Sequence, residues 1–301
     1  MRDNAKVWLN GNLVPWAEAT VPLMSHGFAR GSAVFEAFGV HKGPDGLNAF
    51  RMDEHLKRLR NSTDALEMVL SRTTDEIMAA VRETVAANDI ERGMVKIMVY
   101  WAEESIIQLV LDTPLDMAVF VIPEGEGLKF DQMDELITAC LSKWRKIHPE
   151  TVPVGAKACS NYLNGYMARR DANNRGFNVG VLLDTDGYLA EGSTEAVFIV
   201  KDGVLKIPPL ERVLSSISRM SILEAAPVLG IPVSIKPILP EELLEADEMF
   251  TAHTGTKVHP VSRFEDREFQ APGPVTRQLV NCFEKVLQFQ DDRFSHWYQP
   301  L

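Results

Sequence analysis

Gly155-Ala-Lys157-Ala-Cys-Ser-Asn161-Tyr162 sets one lysine among small residues, directly ahead of an amphipathic run. Tyr162, Leu163, Tyr166 and Met167 recur at helical spacing, which predicts a helix starting just past the lysine. Flanking alanines suit a side chain tucked against backbone. An amine drawn out of water has a lowered pKa and can attack a carbonyl to form a Schiff base. Most lysines are solvated surface groups, so the stretch gains weight only from residues elsewhere in the chain.

The 301 residues, 46% of them hydrophobic, allow one large domain or two ordinary ones. A net charge of −11, from 42 acidic against 31 basic residues, argues against a nucleic-acid partner. The three cysteines are too few for a disulfide framework. Their spacing fits no zinc site, and His253 and His259 lack a third ligand, so no metal is expected. No apolar run reaches membrane-spanning length. The opening Met1-Arg-Asp-Asn-Ala5 lacks the form of a signal peptide, so the expected compartment is the cytoplasm.

Working outward, Asn10-Gly11 predicts a hairpin over 6–14. Strands are expected over Ala33–Val40 and Leu47–Arg51, joined by Gly43-Pro-Asp-Gly46. A helix follows from Glu54 to about Leu70, and a second starts at the capping box Thr73-Thr-Asp-Glu76. Met94–Val99 and Met117–Ile122 read as strands, completing a small α+β domain over 1–122. Pro123-Glu-Gly-Glu-Gly127 marks a linker, taken as 123–130, before a larger domain over 131–301. Val179–Asp184, Tyr188–Glu191, Glu195–Val200 and Val204–Ile207 read as a meander. Helices are expected near Ser218, with Pro227 kinking or shortening it, from Pro240, and from Pro274 to Gln288. Gly255-Thr-Lys257 lacks the upstream glycine and following hydroxyl of a P-loop.

Further groups join Lys157 in a candidate pyridoxal phosphate site. Tyr162 places a phenol within reach of a cofactor ring oxygen. Glu191, before Gly192, is suited to face a pyridine nitrogen and keep it protonated. Ile217-Ser218, just before a helix, offers free N–H groups and a positive dipole end to a phosphate. Arg58 can add a charge-assisted contact. Each has a plainer reading as well: a packed phenol, a strand-end acid, an ordinary N-cap and a solvated helix-face arginine.

Blocks along nearly the whole chain resemble the class IV, fold-type IV pyridoxal phosphate enzymes, and most of all branched-chain amino acid aminotransferases. They run from Val7-Trp-Leu-Asn-Gly-Asn-Leu-Val-Pro-Trp16 and Ser25-His-Gly27 through Val34-Phe-Glu36 and Glu54-His-Leu-Lys-Arg58-Leu59. They continue with Lys157, Asn161-Tyr162-Leu163, Ala190-Glu-Gly-Ser193, Val197-Phe-Ile-Val-Lys-Asp-Gly203, Ile217-Ser218-Arg219 and Ala246-Asp247-Glu248.

The resemblance implies a two-domain α+β fold, with a smaller N-terminal domain and a larger pseudobarrel-like C-terminal one. It implies Lys157 bonded to pyridoxal 5′-phosphate and shuttling protons, Tyr162 at the ring hydroxyl and Glu191 at the ring nitrogen. Arg58, Ile217, Ser218 and Thr254 would surround the phosphate, and Gly255-Thr256 would receive the substrate carboxylate, with Phe35 on the pocket wall; a pocket lined by Phe35, Phe38 and Val40 would favour a branched or aliphatic side chain. The implied reaction moves an amino group between a branched-chain or aliphatic amino acid and a 2-keto acid such as 2-oxoglutarate. A homodimer or higher homo-oligomer is expected.

Substrate-side positions depart from the pattern. Arg30 stands in place of a tyrosine, Met94-Val95-Lys96 in place of Tyr-x-Arg, and Gly39 where an arginine often lies. His253 replaces a glycine before Thr254, and Thr194 and Ala196 replace a glycine and an asparagine. The alternatives are a lyase resembling aminodeoxychorismate lyase and a D-amino acid or (R)-amine transaminase of the same fold.

Overall fold

A computed structural model describes residues 4–125 and 129–301, so Glu126, Gly127 and Leu128 of the expected linker lie outside the described residues. The chain divides into two units, one of 1–129, 156–160 and 293–301, the other of 130–155 and 161–292. The segment around Lys157 and the C-terminal nine residues therefore fold with the first unit, whereas the sequence assigns both to 131–301.

In the first unit, β1 (Lys6–Leu9) and β2 (Asn12–Pro15) form the expected hairpin, and Asn10 and Gly11 both take positive φ. A short α1 (His26–Ala29) precedes β3 (Ala33–Gly43), β4 (Gly46–Phe50), α2 (Met52–Ala65), α3 (Thr74–Asn88), β5 (Arg92–Tyr100) and β6 (Asp116–Pro123). With the final strand Tyr298–Pro300 they make a seven-stranded sheet in the order final strand, β4, β3, β5, β6, β1, β2.

Alternation sorts its two faces. Val34, Phe38, Val40, Val95, Ile97 and Val119 are buried in one core with Leu56 and Leu59 of α2 and Ile77 and Val81 of α3. Phe35, Ala37, Met94, Lys96, Met98 and Phe120 share the other face, half-buried.

The capping box at Thr73 and Glu76 forms as read. Helix α2 starts earlier than expected because Met52 N–H donates to Gln299 Oε1 at 2.7 Å, a cap supplied from the far end of the chain. It also stops earlier. Met68 N–H turns back to Thr63 O, Glu67 takes φ +55, and Val69 is left exposed rather than on the apolar side.

The second unit carries β7 (Ile137–Arg145), α4 (Tyr162–Asn174), β8 (Val179–Leu183), β9 (Leu189–Glu191), β10 (Ala196–Lys201) and β11 (Val204–Ile207). Then come α5 (Ile217–Val228), β12 (Val233–Ile235), α6 (Pro240–Glu245), β13 (Glu248–His253), β14 (Thr256–Phe264), β15 (Arg267–Glu268) and α7 (Pro274–Leu287). The sheet runs β12-β11-β10-β13-β14-β7-β8-β9, open at both edges, with β15 on β14.

The expected meander over 179–207 is thus broken after β9. Gly192 N–H donates to Glu195 O at 2.7 Å, and the chain leaves that turn to pair β10 with β13 rather than with β9. Pro227 is the penultimate residue of α5, which ends at Val228.

The buried face of α4 is Gly165, Ala168 and Ala172, while Leu163 and Tyr166 are exposed, against the expected apolar stripe. A methyl on Gly165 would press into the carbonyl oxygen of Ser193, so the helix lies backbone-close to the loop that follows Glu191. Among the described residues no helix is long and apolar enough to cross a membrane.

Candidate active site

Lys157 is held as an extra edge along β3. Its C=O accepts Phe35 N–H at 3.1 Å, and Ala158 bridges Val34. Its N–H donates to Ser62 Oγ at 2.9 Å, and that hydroxyl donates to Arg58 O at 2.8 Å. The half-buried side chain lies on the open sheet face, with Nζ 4.6 Å from the Phe35 ring centroid. Lys96 reaches the same ring at 4.9 Å. Phe35 is therefore on the same sheet face as the amine. Phe38 and Val40 are not: they point to the opposite face and are fully buried against the helices.

A buried charge cluster surrounds Arg58, which the sequence reading assigns to a phosphate. Arg58 donates from Nε to Glu36 Oε1 at 2.6 Å and from Nη2 to Oε2 at 2.8 Å. His55 Nδ1 lies 2.6 Å from the same Oε2. Burial pushes the Glu36 carboxyl upward. The charges and hydrogen bonds of Arg58 and then His55 outweigh that, holding it at about 2. Burial presses His55 down to about 4 against the pull of Glu36, with the positive charges of Arg58 and Lys157 adding to the push. At neutral pH His55 is uncharged and donates Nδ1–H, so Glu36 has one ionic partner, Arg58, and one neutral donor.

In the second unit, Ile217 and Ser218 are the first residues of α5, and Ser216 is its N-cap, accepting Arg219 N–H at 3.3 Å. First-turn N–H groups have no partner inside the helix, and the dipole there favours an anion. Arg219 is turned elsewhere: it donates to Pro208 O at 2.6 Å, and burial presses it down to about 10.

Glu191 ends β9 with Oε1 2.5 Å from Lys146 Nζ, in a pair only 17% and 8% exposed. Among the described residues no protein group takes its Oε2. Tyr162 opens α4. Thr254 and Gly255 form the two-residue turn between β13 and β14, and α5 packs on β13. His253 accepts Gly255 N–H at Nδ1, 3.0 Å away. Its desolvation pushes the imidazole down, so it meets the turn as a neutral ring.

These groups fit pyridoxal 5′-phosphate on chemistry alone. The donor set holds a primary amine on an apolar face, a helix N-terminus for a dianion, and a carboxylate with one oxygen available to a pyridinium. Glu36, His55 and Lys146 carry no role in the sequence reading. Glu36 and His55 stand inside quoted motifs, but nothing local reveals which face they occupy.

The fold is that of the fold-type IV α+β enzymes. The pattern described as "Amino-transferase class IV" matches residues 33–264, and the chain belongs to the class IV aminotransferase family. The branched-chain-amino-acid aminotransferase of Salmonella typhimurium is 32% identical over 98% of this chain and 97% of its own. The crystal structure of the branched-chain aminotransferase of Thermoproteus uzoniensis with norvaline superposes with a TM-score of 0.93. The two are 33% identical, over 98% of this chain and 99% of that one. The branched-chain amino acid aminotransferase of Thermobaculum terrenum in its PLP-form gives 0.91 at 30% identity, over 100% and 99% of the two chains.

Proposed function

We propose that the chain is a pyridoxal 5′-phosphate-dependent aminotransferase that moves an amino group from a branched-chain or aliphatic amino acid to a 2-keto acid such as 2-oxoglutarate. The observation that carries this reading is Lys157 Nζ over Phe35, on a half-buried face lined otherwise by Ala37, Met94, Met98 and Phe120. Lys157 bonds the cofactor, Tyr162 meets its ring hydroxyl and Glu191 its ring nitrogen. Ile217, Ser218, Thr254 and Arg58 hold its phosphate. Gly255 and Thr256 receive the substrate carboxylate.

When bound, the cofactor supplies an electron sink for charge developing at the substrate α-carbon. The residues do the rest. Lys146 fixes the Glu191 carboxylate at one oxygen and leaves the other for a cationic N–H. The apolar face excludes water and admits an aliphatic side chain. Lys157 Nζ, as a free amine beside the substrate, would take the α-proton as general base and give it back as acid. Lys96, on the Phe35 ring, offers a cation to the second carboxylate of 2-oxoglutarate.

Holoenzyme given leucine and no acceptor is expected to release one equivalent of keto acid and stop, and initial-rate double-reciprocal plots should be parallel. Intersecting lines would count heavily against the reading. Pyruvate released without acceptor would favour the lyase alternative, and turnover of D-alanine or a chiral amine above leucine would favour the D-amino acid or (R)-amine transaminase.

The same reading includes a homodimer. Leu23, Phe28, Ile106, Ile107, Leu109 and Val110 are each 67% or more exposed. Their segments interlock: Ser25 bridges Glu104, Ser105 N–H donates to Met24 O, and His26 Nε2 lies 3.0 Å from Leu109 O. Clustered large apolar side chains of this kind mark an interaction surface, here for a second copy. Sedimentation should give a dimer, and Ile107→Asp with Leu109→Asp a monomer. A native chain that sediments as a monomer removes this part of the proposal. Free thiols at Cys140, Cys159 and Cys282 fit a reducing compartment, the cytoplasm.

A further inference from the structure

The turn between β13 and β14 rests on a buried charge pair that the reaction itself does not call for. Lys257 is 1% exposed, and its Nζ donates to Thr254 O at 2.6 Å. The same Nζ lies 3.4 Å from Asp131 Oδ1, on a side chain 4% exposed. Asp131 in turn donates its backbone N–H to Gly255 O at 2.5 Å, from a left-handed conformation with φ +55. The two residues thus hold the two successive carbonyls of the turn.

A buried ion pair is a weak way to gain stability, because desolvation offsets its attraction and an apolar pair of similar volume does as well. What it offers is direction. In a trans peptide the N–H points opposite to the C=O. Fixing Thr254 O and Gly255 O therefore fixes where Gly255 N–H and Thr256 N–H point. The first is turned to His253 Nδ1, which completes the frame around Thr254. A non-glycine residue in the left-handed region is itself strained, and it persists where its surroundings over-determine it.

We infer that Lys257 and Asp131 are a positioning pair, holding the 254–256 turn so that Thr254 meets the cofactor phosphate and Gly255-Thr256 the substrate carboxylate. The inference rests on the proposed role of that turn. The pair touches neither ligand. It acts through the backbone, so its loss should tell on the phosphate and carboxylate contacts and leave the bond at Lys157 alone.

The test compares two probes on holoenzyme stripped of its cofactor: pyridoxal 5′-phosphate, and pyridoxal, which lacks the phosphate. Lys257→Met and Asp131→Asn should each weaken the phosphorylated probe about tenfold or more, the scale of a charged-group hydrogen bond. Binding of pyridoxal should be unchanged. At saturating cofactor, KM for the amino acid should rise while kcat holds.

Equal losses for both probes, or none, overturn the inference. Asp131→Asn, nearly isosteric, keeps it testable if Lys257→Met fails to fold. Thr254→Ala separates the two readings. If that variant loses no preference for the phosphorylated probe, while borohydride still fixes the probe at Lys157 of the native chain, the inference fails and the aminotransferase reading stands. A native chain that is not labelled at Lys157 removes the aminotransferase reading itself.

Discussion

Lys157→Ala should reduce amino-group transfer by about 10⁴-fold or more, since a positioned base alone contributes about 10²–10⁴ and the covalent bond to the cofactor is lost with it. The fold should survive. The contacts that seat the segment, Lys157 N–H to Ser62 Oγ and Lys157 C=O from Phe35 N–H, belong to the backbone and persist in alanine. Among the contacts that go with the side chain is that of Nζ with the Phe35 ring, worth about 0.5–1 kcal/mol. The variant should therefore still fold, keeping these backbone contacts, while turnover vanishes. Borohydride should fix pyridoxal phosphate to the native chain and release it from the variant on denaturation. Lys96→Ala, on the same ring, should keep the covalent label. Turnover at a normal rate in Lys157→Ala would assign the base to another residue.

Much of the fold is legible where its signals are local. Asn10-Gly11 encodes its turn in two residues, and the Thr73–Glu76 box closes within one helical turn. The reading fails where the deciding partner is distant. The start of α2 depends on Gln299, far along the chain. Strand β7 goes unread because its neighbours, β8 and β14, are parallel to it and lie well downstream, with no turn signal to tie them together. Strands β13, β14 and β7 likewise part β10 from β8 and β9 in a segment that looks continuous from Val179 to Ile207.

The site divides along the same line. Lys157, Tyr162, Glu191 and Ile217-Ser218 stand at element boundaries with distinctive neighbours, which local pattern can locate. Their supports do not. Lys146 meets Glu191 across 45 residues, and nothing near either predicts the other. Lys257, weighed only as part of a failed P-loop, proves to be a buried strand residue beneath the turn. The error at Phe38 and Val40 is one of parity. Phe35, on the face that carries Lys157, and core-facing Val34, Phe38 and Val40 share one strand, and only the side covered by α2 and α3 decides which set is buried.

Glu36→Gln is the substitution with the second largest expected consequence, and it falls on stability. The amide keeps the shape of the side chain but leaves the Arg58 guanidinium without its buried counter-ion, a change that costs about 3–5 kcal/mol in such settings. The pH dependence identifies the cause. Glu36 titrates at about 2 in the folded chain, below its ordinary 4.5, so its contribution is full above pH 4.5 and is lost as pH falls through 2. His55 titrates at about 4 against an ordinary 6.5, so the unfolded chain takes up its proton first. Its contribution is present above pH 6.5 and is lost as pH falls through 4. The native protein should thus weaken from pH 6.5 downward, the first stretch through His55 and the last through Glu36. The urea midpoint of Glu36→Gln should lie well below native at pH 7 and approach it below pH 4.5, where the native carboxylate starts to lose its advantage. A gap of constant size from pH 7 to pH 3 would mean that the carboxylate holds Arg58 and His55 by shape rather than by charge.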